Sequence, residues 1–180
     1  MDYLNEYVIP YFGLKPGIHQ FEFDVEDKFF EAFDYSEIKR GKLQLKLELD
    51  KQERMFILNF YISGTVNVMC DRCSGWFDLS VEGHERLIVK LGNESIEESH
   101  EIVVIPEQEH SFDISPYLYE YIVLMLPAKK IHPDDENGES TCDPEMLRIL
   151  EDHRYENQPD SRWDELKKLK EKNKNSINKK

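Results

Sequence analysis

Apolar and polar residues alternate along much of the first half of the chain, which is the pattern of half-buried strands. In GKLQLKLELDKQ (41–52), four leucines occupy alternate positions, so one face is apolar and the other is polar. MFILNFYISGTVNVMC (55–70) and WFDLSVEGHERLIVKLG (76–92) follow after short turn-like segments. The three segments predict an antiparallel meander, and alternating residues at 18–25 predict an earlier strand.

Helical spacing replaces this alternation in three places. A cluster of phenylalanines in EDKFFEAFDYSEI (26–38) predicts a short helix. FDISPYLYEYIVLMLP (112–127) predicts a longer helix, which Asp113 or Ser115 can cap and which should cover the open face of the sheet. DPEMLRILEDHRYEN (143–157) predicts a third helix that begins at an Asp-Pro pair.

The remaining segments complete the predicted organisation. GNESIEESHE (92–101) is acidic and polar, so we interpret it as a mobile loop before a short strand at IVVI (102–105). Together the elements predict an α+β fold with a mainly antiparallel sheet that could close in a barrel-like way, a covering helix and a helical basic C-terminal tail. The expected domain covers residues 1–158, and residues 159–180 form an amphipathic helix and a basic, partly disordered tail.

Charge is distributed unevenly along the 180 residues. The net charge is −14, and the segment from Arg162 to Lys180 contributes +5, so the residues before it carry −19. An acidic body repels a nucleic-acid backbone, whereas a basic tail attracts one. The sequence shows no basic leader and no apolar run of about 20 residues. With three cysteines, an odd number, this predicts a cytoplasmic protein that does not engage a membrane.

The stretch VMCDRCSGWFDL (68–79) holds Cys70 and Cys73 at a predicted turn between strands, and it has three interpretations. Two thiolates at this spacing can hold a structural zinc ion if two further ligands come from elsewhere. Cys142 and His132 are the best candidates, because both lie in the loop after the covering helix.

The Cys70–Cys73 pair could instead be two reduced thiols in a turn. A redox pair fits less well, because such pairs usually begin a helix, whose N-terminus lowers the thiol pKa. The histidines that compete with His132 are His84, His100, His110 and His153.

Catalytic motifs are missing from the sequence. It contains no nucleophile motif, phosphate-binding loop or dinucleotide fingerprint, so we expect no enzymatic activity and no small-molecule substrate. The acidic stretch HPDDENGES (132–140) invites a calcium interpretation. Aligning Gly138 with the glycine of an EF-hand loop, however, places Pro133 and Pro144 where carboxylates are required. A solvated acidic loop is the better explanation.

The basic tail has two interpretations that the sequence leaves open. Its lysines could simply keep a terminal helix soluble, which is the commoner role of such a run. Alternatively, they contact RNA phosphates, while an arginine fork and an indole add specific contacts. The residues of this candidate RNA- or partner-binding segment are Arg162, Trp163, Lys167, Lys168, Lys170, Lys172 and Lys174.

The order of these motifs resembles that of a known family. A strand pair leads into GTVNVMCDRCSGWFDLSVE (64–82), and an acidic loop, FDISPYLYEYIVLMLP (112–127), a His/Cys loop and DSRWDELKKL (160–169) follow. This arrangement is similar to the YceD family, the large ribosomal RNA subunit accumulation proteins of bacteria and plastids. The resemblance covers most of the chain, roughly from Leu43 to Leu169.

The resemblance implies a non-enzymatic role in the synthesis, processing or stability of large-subunit ribosomal RNA. The implied partner is that RNA or a ribosomal protein, and the acidic body suits a basic ribosomal protein at least as well as it suits RNA. Many relatives carry a cysteine-rich segment after the Leu-Pro pair that, with Cys-x-x-Cys, looks like a four-thiolate metal site. This chain has His132 and the distant Cys142 instead, so the expected form is a site of three cysteines and one histidine. The alternative function is a thiol-based redox or metal-sensing protein that uses Cys70 and Cys73.

Overall fold

A computed structural model describes residues 3–93, 96–99 and 101–153 of the chain. The chain divides into two compact units, Met1–Cys142 and Asp143–Lys180. The domain boundary predicted after residue 158 lies outside the described residues and stays a prediction. Within the described ranges, no helix is both long enough and apolar enough to cross a membrane.

Eight strands and three α-helices form the regular structure of the described residues. The strands are β1 (Val8–Ile9), β2 (Gly17–Val25), β3 (Arg40–Lys51), β4 (Met55–Met69), β5 (Trp76–Gly92), β6 (Ile96–Ser99), β7 (Ile102–Pro106) and β8 (Phe112–Asp113). The helices are α1 (Asp27–Glu31), α2 (Ser115–Leu124) and α3 (Pro144–Asp152), and two short 3-10 helices cover Tyr3–Tyr7 and Tyr11–Gly13.

The main sheet contains six strands in the order β2-β3-β4-β5-β7-β6. Strands β3 to β5 form the predicted antiparallel meander, and the earlier strand β2 extends it by pairing antiparallel with β3. Strand β7 pairs in parallel with β5. The sheet is open, so the expectation of a barrel-like closure was wrong. Strands β2 and β6 are its two edges, and among the described residues no pairing joins them. Strands β1 and β8 form a separate two-stranded ribbon.

The acidic segment at 92–101 differs from the loop that its composition predicts. Residues Ile96–Ser99 form β6, which pairs antiparallel with β7 and has an irregularity between Glu97 and Ser99. Backbone hydrogen bonds hold such an edge strand, and they do not require the apolar alternation on which the sequence prediction depends.

The core lies on the apolar face of the meander. The four leucines of β3 are all buried, which confirms the predicted alternation, and the residues of β4 that share this face are Phe56, Leu58, Phe60 and Ile62. Helix α2 covers this face as predicted. Its Leu118 and Ile122 are fully buried, and the Tyr121 ring meets the ring of Phe60 edge-on at 5.1 Å.

The predicted N-caps of α2 and α3 have different outcomes. The N-cap of α2 lies between the two predicted residues, whereas that of α3 is the predicted one. Asp113 Oδ1 accepts a hydrogen bond from the Ser115 amide at 2.9 Å, although Ile114 occupies the N-cap position of α2. The helix ends at Leu124, three residues before Pro127. Asp143 caps α3 by accepting from the Glu145 amide at 2.8 Å, in agreement with the prediction.

The N-terminal segment contributes to the core in a way that alternation does not predict. Tyr7 and Tyr11 are buried, and the Tyr11 ring lies 4.6 Å from the ring of Phe56. Lys51 Nζ donates to the carbonyl oxygens of Tyr11 and Leu14 at 2.8 Å each. One lysine at the end of β3 therefore holds the second 3-10 helix against the sheet.

Candidate metal centre

The Cys70–Cys73 turn connects β4 to β5, as predicted. The Cys70 amide donates to the Gly75 carbonyl at 2.8 Å, and the Ser74 amide donates to the Cys70 carbonyl at 2.9 Å. Ser74 adopts φ +58°, which a tight turn requires at this position. The Arg72 amide also points at Cys70 Sγ from 3.4 Å. Backbone geometry thus places both sulfurs on the same side of the turn, and we call residues 70–75 the knuckle.

The loop at 131–142 folds back on itself and brings two distant residues together. Asp134 and Ser140 form an isolated antiparallel bridge, and the Asp135 amide donates to the Glu139 carbonyl at 2.8 Å. A hydrogen bond from the backbone of Glu139 lowers the pKa of the Asp135 carboxyl below its ordinary value. This bridge turns the loop into a hairpin. His132 and Cys142, which are ten residues apart in sequence, therefore become neighbours.

Two reciprocal hydrogen bonds join the knuckle to this loop. The Asp71 amide donates to the Lys130 carbonyl at 2.7 Å, and the Lys130 amide donates to Asp71 Oδ2 at 2.6 Å. The aspartate between the two cysteines therefore fixes the backbone two residues before His132. The His132 ring also packs against Phe77, with 4.6 Å between ring centroids.

The four side chains form one compact cluster. Cys70 Sγ lies 3.8 Å from Cys142 Sγ, Cys73 Sγ lies 3.4 Å from His132 Nδ1, and Cys142 Sγ lies 3.8 Å from the same nitrogen. All four candidate ligand atoms lie within 4.8 Å of one another. Tetrahedral zinc, with Zn–S of about 2.3 Å and Zn–N of about 2.0 Å, places two sulfurs about 3.8 Å apart and sulfur and nitrogen about 3.5 Å apart. These three separations are close to that geometry, and the other pairs of candidate ligand atoms lie within 4.8 Å of each other.

The surroundings of the thiols favour a thiolate at one position and a thiol at another. Burial raises the pKa of Cys70, but hydrogen bonds from the backbone of Cys73 and Arg72 and from His132 outweigh it and lower the pKa to about 6. Burial raises the pKa of Cys142, which its contact with Ser140 only partly offsets. Without a cation the cluster therefore holds unequal thiols, and a metal ion would favour the deprotonated form of each.

The structure brings together all four residues that the sequence proposed as metal ligands. The competing histidines within the described residues have other partners: His84 stacks on Tyr61, His110 contacts the Gln108 carbonyl, and His153 contacts the Ile149 carbonyl. His100 lies outside the described residues. So does the candidate RNA- or partner-binding segment from Arg162 to Lys174, whose role stays a prediction.

With a metal ion bound, this arrangement would be a closed structural site. All three cysteines are buried and His132 is half-buried, and four protein ligands leave no coordination position for a substrate. The cluster does not favour a redox interpretation over a metal site, because the pKa of Cys70 is lowered, against burial, by hydrogen bonds from the knuckle backbone and His132 and not by the start of a helix. Sequence reasoning missed the supporting contact from Asp71, since nothing distinguishes it among 37 acidic residues. The Asp-Glu-Asn-Gly run at 135–138 is a turn signal that could have indicated the hairpin.

Comparison with known proteins gives one match. The family model described as large ribosomal RNA subunit accumulation protein YceD matches residues 58–170, which include the knuckle, α2 and the loop at 131–142. No curated protein and no solved structure matches the chain. Since the family match spans more than half of the 180 residues, the chain belongs to the YceD family.

Proposed function

We propose that the protein is an accessory factor of large ribosomal subunit production, which supports the synthesis, processing or stability of large-subunit ribosomal RNA. It acts by binding RNA or a ribosomal protein and not by catalysis. The observation that carries this proposal is the family match over residues 58–170. The closed ligand cluster is consistent with a binding protein, because it offers no open position for chemistry.

Zinc has a structural role in this proposal. Cys70, Cys73, His132 and Cys142 supply a donor set and separations that fit a tetrahedral zinc ion. The ion, when bound, stabilises the deprotonated thiols and connects the knuckle to the loop that follows α2. The chain's own hydrogen bonds between Asp71 and Lys130 orient the two segments before metal arrives.

The uneven charge supports different partners for the basic C-terminal segment and for the acidic residues before it. The +5 segment from Arg162 onward attracts RNA phosphates, whereas the −19 of the preceding residues attracts a basic ribosomal protein. Both partners occur together in a ribosomal precursor. A cytoplasmic location agrees with this role.

Removal of the protein from its own cells tests the function. We expect the ratio of large- to small-subunit ribosomal RNA to fall, and a plasmid copy of the full chain should restore it. Quantitative hybridisation of total RNA measures both. An unchanged ratio in the deletion strain would contradict the proposed function.

The metal proposal has a separate test with matched histidine variants. Elemental analysis of the purified full chain should give about one zinc per molecule, and His132→Gln should lower this content and the melting temperature. His110→Gln serves as control, because its ring contacts the Gln108 carbonyl and not the cluster. A wild-type protein purified without a chelator and found free of metal would end the zinc proposal.

A further inference from the structure

A cavity of about 680 Å³ lies beside the knuckle, at the end of the sheet where β3 begins and β4 ends. Its apolar lining includes Met69, Trp76 and Leu126. Its polar lining includes Glu37, Asp71 and Lys130. A volume of this size lies within the range of about 300–1,000 Å³ that is usual for ligand pockets. The proposed metal-binding role does not use this space, although Cys70 forms part of its wall.

The apolar lining is unusually open to solvent for side chains of this kind. Met69 and Trp76 are directly opposite each other as the final pair of the β4–β5 ladder, and each is 45% exposed. Tyr35 is 71% exposed next to the first residues that line the cavity, and its ring packs edge-on against Tyr119. Trp, Tyr and Met are enriched in the centres of protein–protein interfaces, where they fill pockets on the partner or accept its side chains.

The cavity lining carries two carboxylates and two lysines, so its preference for a basic ligand depends on the exposed Glu37 carboxylate and on the acidic charge of the surrounding chain. The Glu37 side chain is 86% exposed, and its pairing with Lys130 Nζ at 3.7 Å is long. Because the carboxylate is exposed and the separation is long, this pair contributes little free energy, and Glu37 can exchange Lys130 for a cation of a partner. The −19 charge of the residues before Arg162 adds long-range attraction for a basic protein.

The same charges disfavour RNA at this cavity. Its two lysines, Lys39 and Lys130, are balanced by the Glu37 and Asp71 carboxylates, so the lining has no net positive charge. The Glu37 and Asp71 carboxylates lie in the same lining, so a phosphate would meet two negative charges there. A stacking surface at Trp76 without net positive charge does not supply the electrostatic attraction that RNA binding requires.

We infer that this cavity is the docking site for a basic segment of a large-subunit ribosomal protein. An apolar side chain of that segment enters between Met69, Trp76 and Leu126, and a neighbouring Lys or Arg pairs with Glu37. This inference rests on the proposed function, and it specifies the partner class and the surface that the partner contacts.

Tryptophan fluorescence offers a direct test, because the chain contains only Trp76 and Trp163. In full-length, zinc-loaded Trp163→Phe protein, Trp76 is the sole indole. The probes are the purified large-subunit ribosomal proteins of the same organism, added one at a time, and large-subunit ribosomal RNA in parallel. We expect at least one basic ribosomal protein to bind and to shift Trp76 emission to shorter wavelength, since docking removes the indole from water.

Variants then locate the binding site. Trp76→Ala, measured by calorimetry in the otherwise wild-type chain, should weaken binding at least tenfold, as truncation of a central interface aromatic usually does. Glu37→Lys should weaken it several-fold and reduce its dependence on salt. Ile18→Ala is the matched control, because Ile18 is 65% exposed but pairs with Asp50 at the opposite end of β3. Circular dichroism and zinc content establish that each variant is folded.

Three outcomes would overturn the inference: no ribosomal protein of the panel binds, the RNA alone shifts Trp76 emission, or the Trp76 and Glu37 variants bind as tightly as Ile18→Ala. The proposed function fails separately, through an unchanged RNA ratio in the deletion strain. If the deletion lowers the ratio and Trp76→Ala restores it fully, the docking site is wrong while the function stands.

Discussion

Gly64 is a single residue on which the alignment of β3 and β4 depends. It has φ +149°, and a Cβ at this position would lie 2.6 Å from Leu43 Cα, on the residue paired with it, and would also meet the Lys42 carbonyl. Both obstacles belong to the backbone, so side-chain movement cannot relieve them. The close approach of two strands therefore requires glycine here.

Gly64→Ala should accordingly lower the free energy of unfolding by about 2–4 kcal/mol, from backbone strain and steric overlap together. Urea unfolding of the zinc-loaded protein measures it. Gly13→Ala is the control, because a Cβ at Gly13 meets nothing within 4 Å. Equal stability of the two variants would show that β3 and β4 separate at little cost.

Cys70 gives the metal-free protein a defined pH dependence. Its pKa of about 6 in the fold lies below the ordinary value of 9.0, so folding favours the thiolate. A lowered pKa contributes stability that is complete above the ordinary value and is lost as pH falls through the value in the fold. Unfolding free energy of the metal-free chain should therefore increase from pH 6 to pH 8.

Urea midpoints across this range, with thiolate absorbance as a second measurement, test the expectation. The pKa of Cys142 is raised, so this residue changes the unfolding free energy only above its ordinary pKa. Between pH 6 and pH 8 the expected change therefore comes from Cys70. Cys70→Ser should lose both the absorbance step near pH 6 and the rise in stability. A wild type with flat midpoints would contradict the assignment.

Contacts between elements, and not the four candidate ligands alone, position the Cys/His cluster. The knuckle and the loop at 131–142 are far apart in sequence, and the reciprocal hydrogen bonds of Asp71 and Lys130 bring them together. A contact of this kind limits the freedom of His132 before metal binds. Removal of such a supporting contact typically lowers metal affinity ten- to hundredfold.

Asp71→Ala should therefore weaken zinc binding about tenfold or more, as measured by competition with a chromophoric chelator. Asp71→Asn should restore most of the affinity, because its side-chain carbonyl can still accept from the Lys130 amide. Identical affinities for the alanine variant and the wild type would mean that the loop adopts its position without this bond.

The elements differ in how far sequence could predict them. The meander from β2 to β5 and the covering helix α2 were predictable, because each buries one face and so imposes a clear period on the sequence. The parallel pairing of β7 and the edge strand β6 were not, because backbone hydrogen bonds hold them and leave little trace in side-chain type. The ligands were predictable from residue chemistry and loop position, whereas the contact of Asp71 depends on a pairing between distant segments.

Two segments of the chain carry opposite net charges, and each segment favours a different candidate partner. Residues from Arg162 onward carry +5 and the preceding residues carry −19. An RNA contact through the basic segment and a protein contact through the acidic body would both weaken with salt, because each depends on opposite charges. Salt alone therefore cannot assign a partner to an end of the chain, and removal of one charged end is required.

Deletion of residues 162–180 should abolish binding to large-subunit ribosomal RNA, since it removes the only segment of the sequence with concentrated positive charge. Binding to a basic ribosomal protein should be retained or become tighter, because the remaining chain carries −19. A full-length variant with Lys167, Lys168, Lys170, Lys172 and Lys174 changed to Gln controls for length and should behave like the deletion. Filter binding for RNA and calorimetry for protein, at two salt concentrations, measure the pair of affinities. Full RNA affinity in the truncated chain would place the nucleic-acid contact on the acidic body, where phosphate binding would need a local cluster of cations strong enough to overcome the surrounding charge.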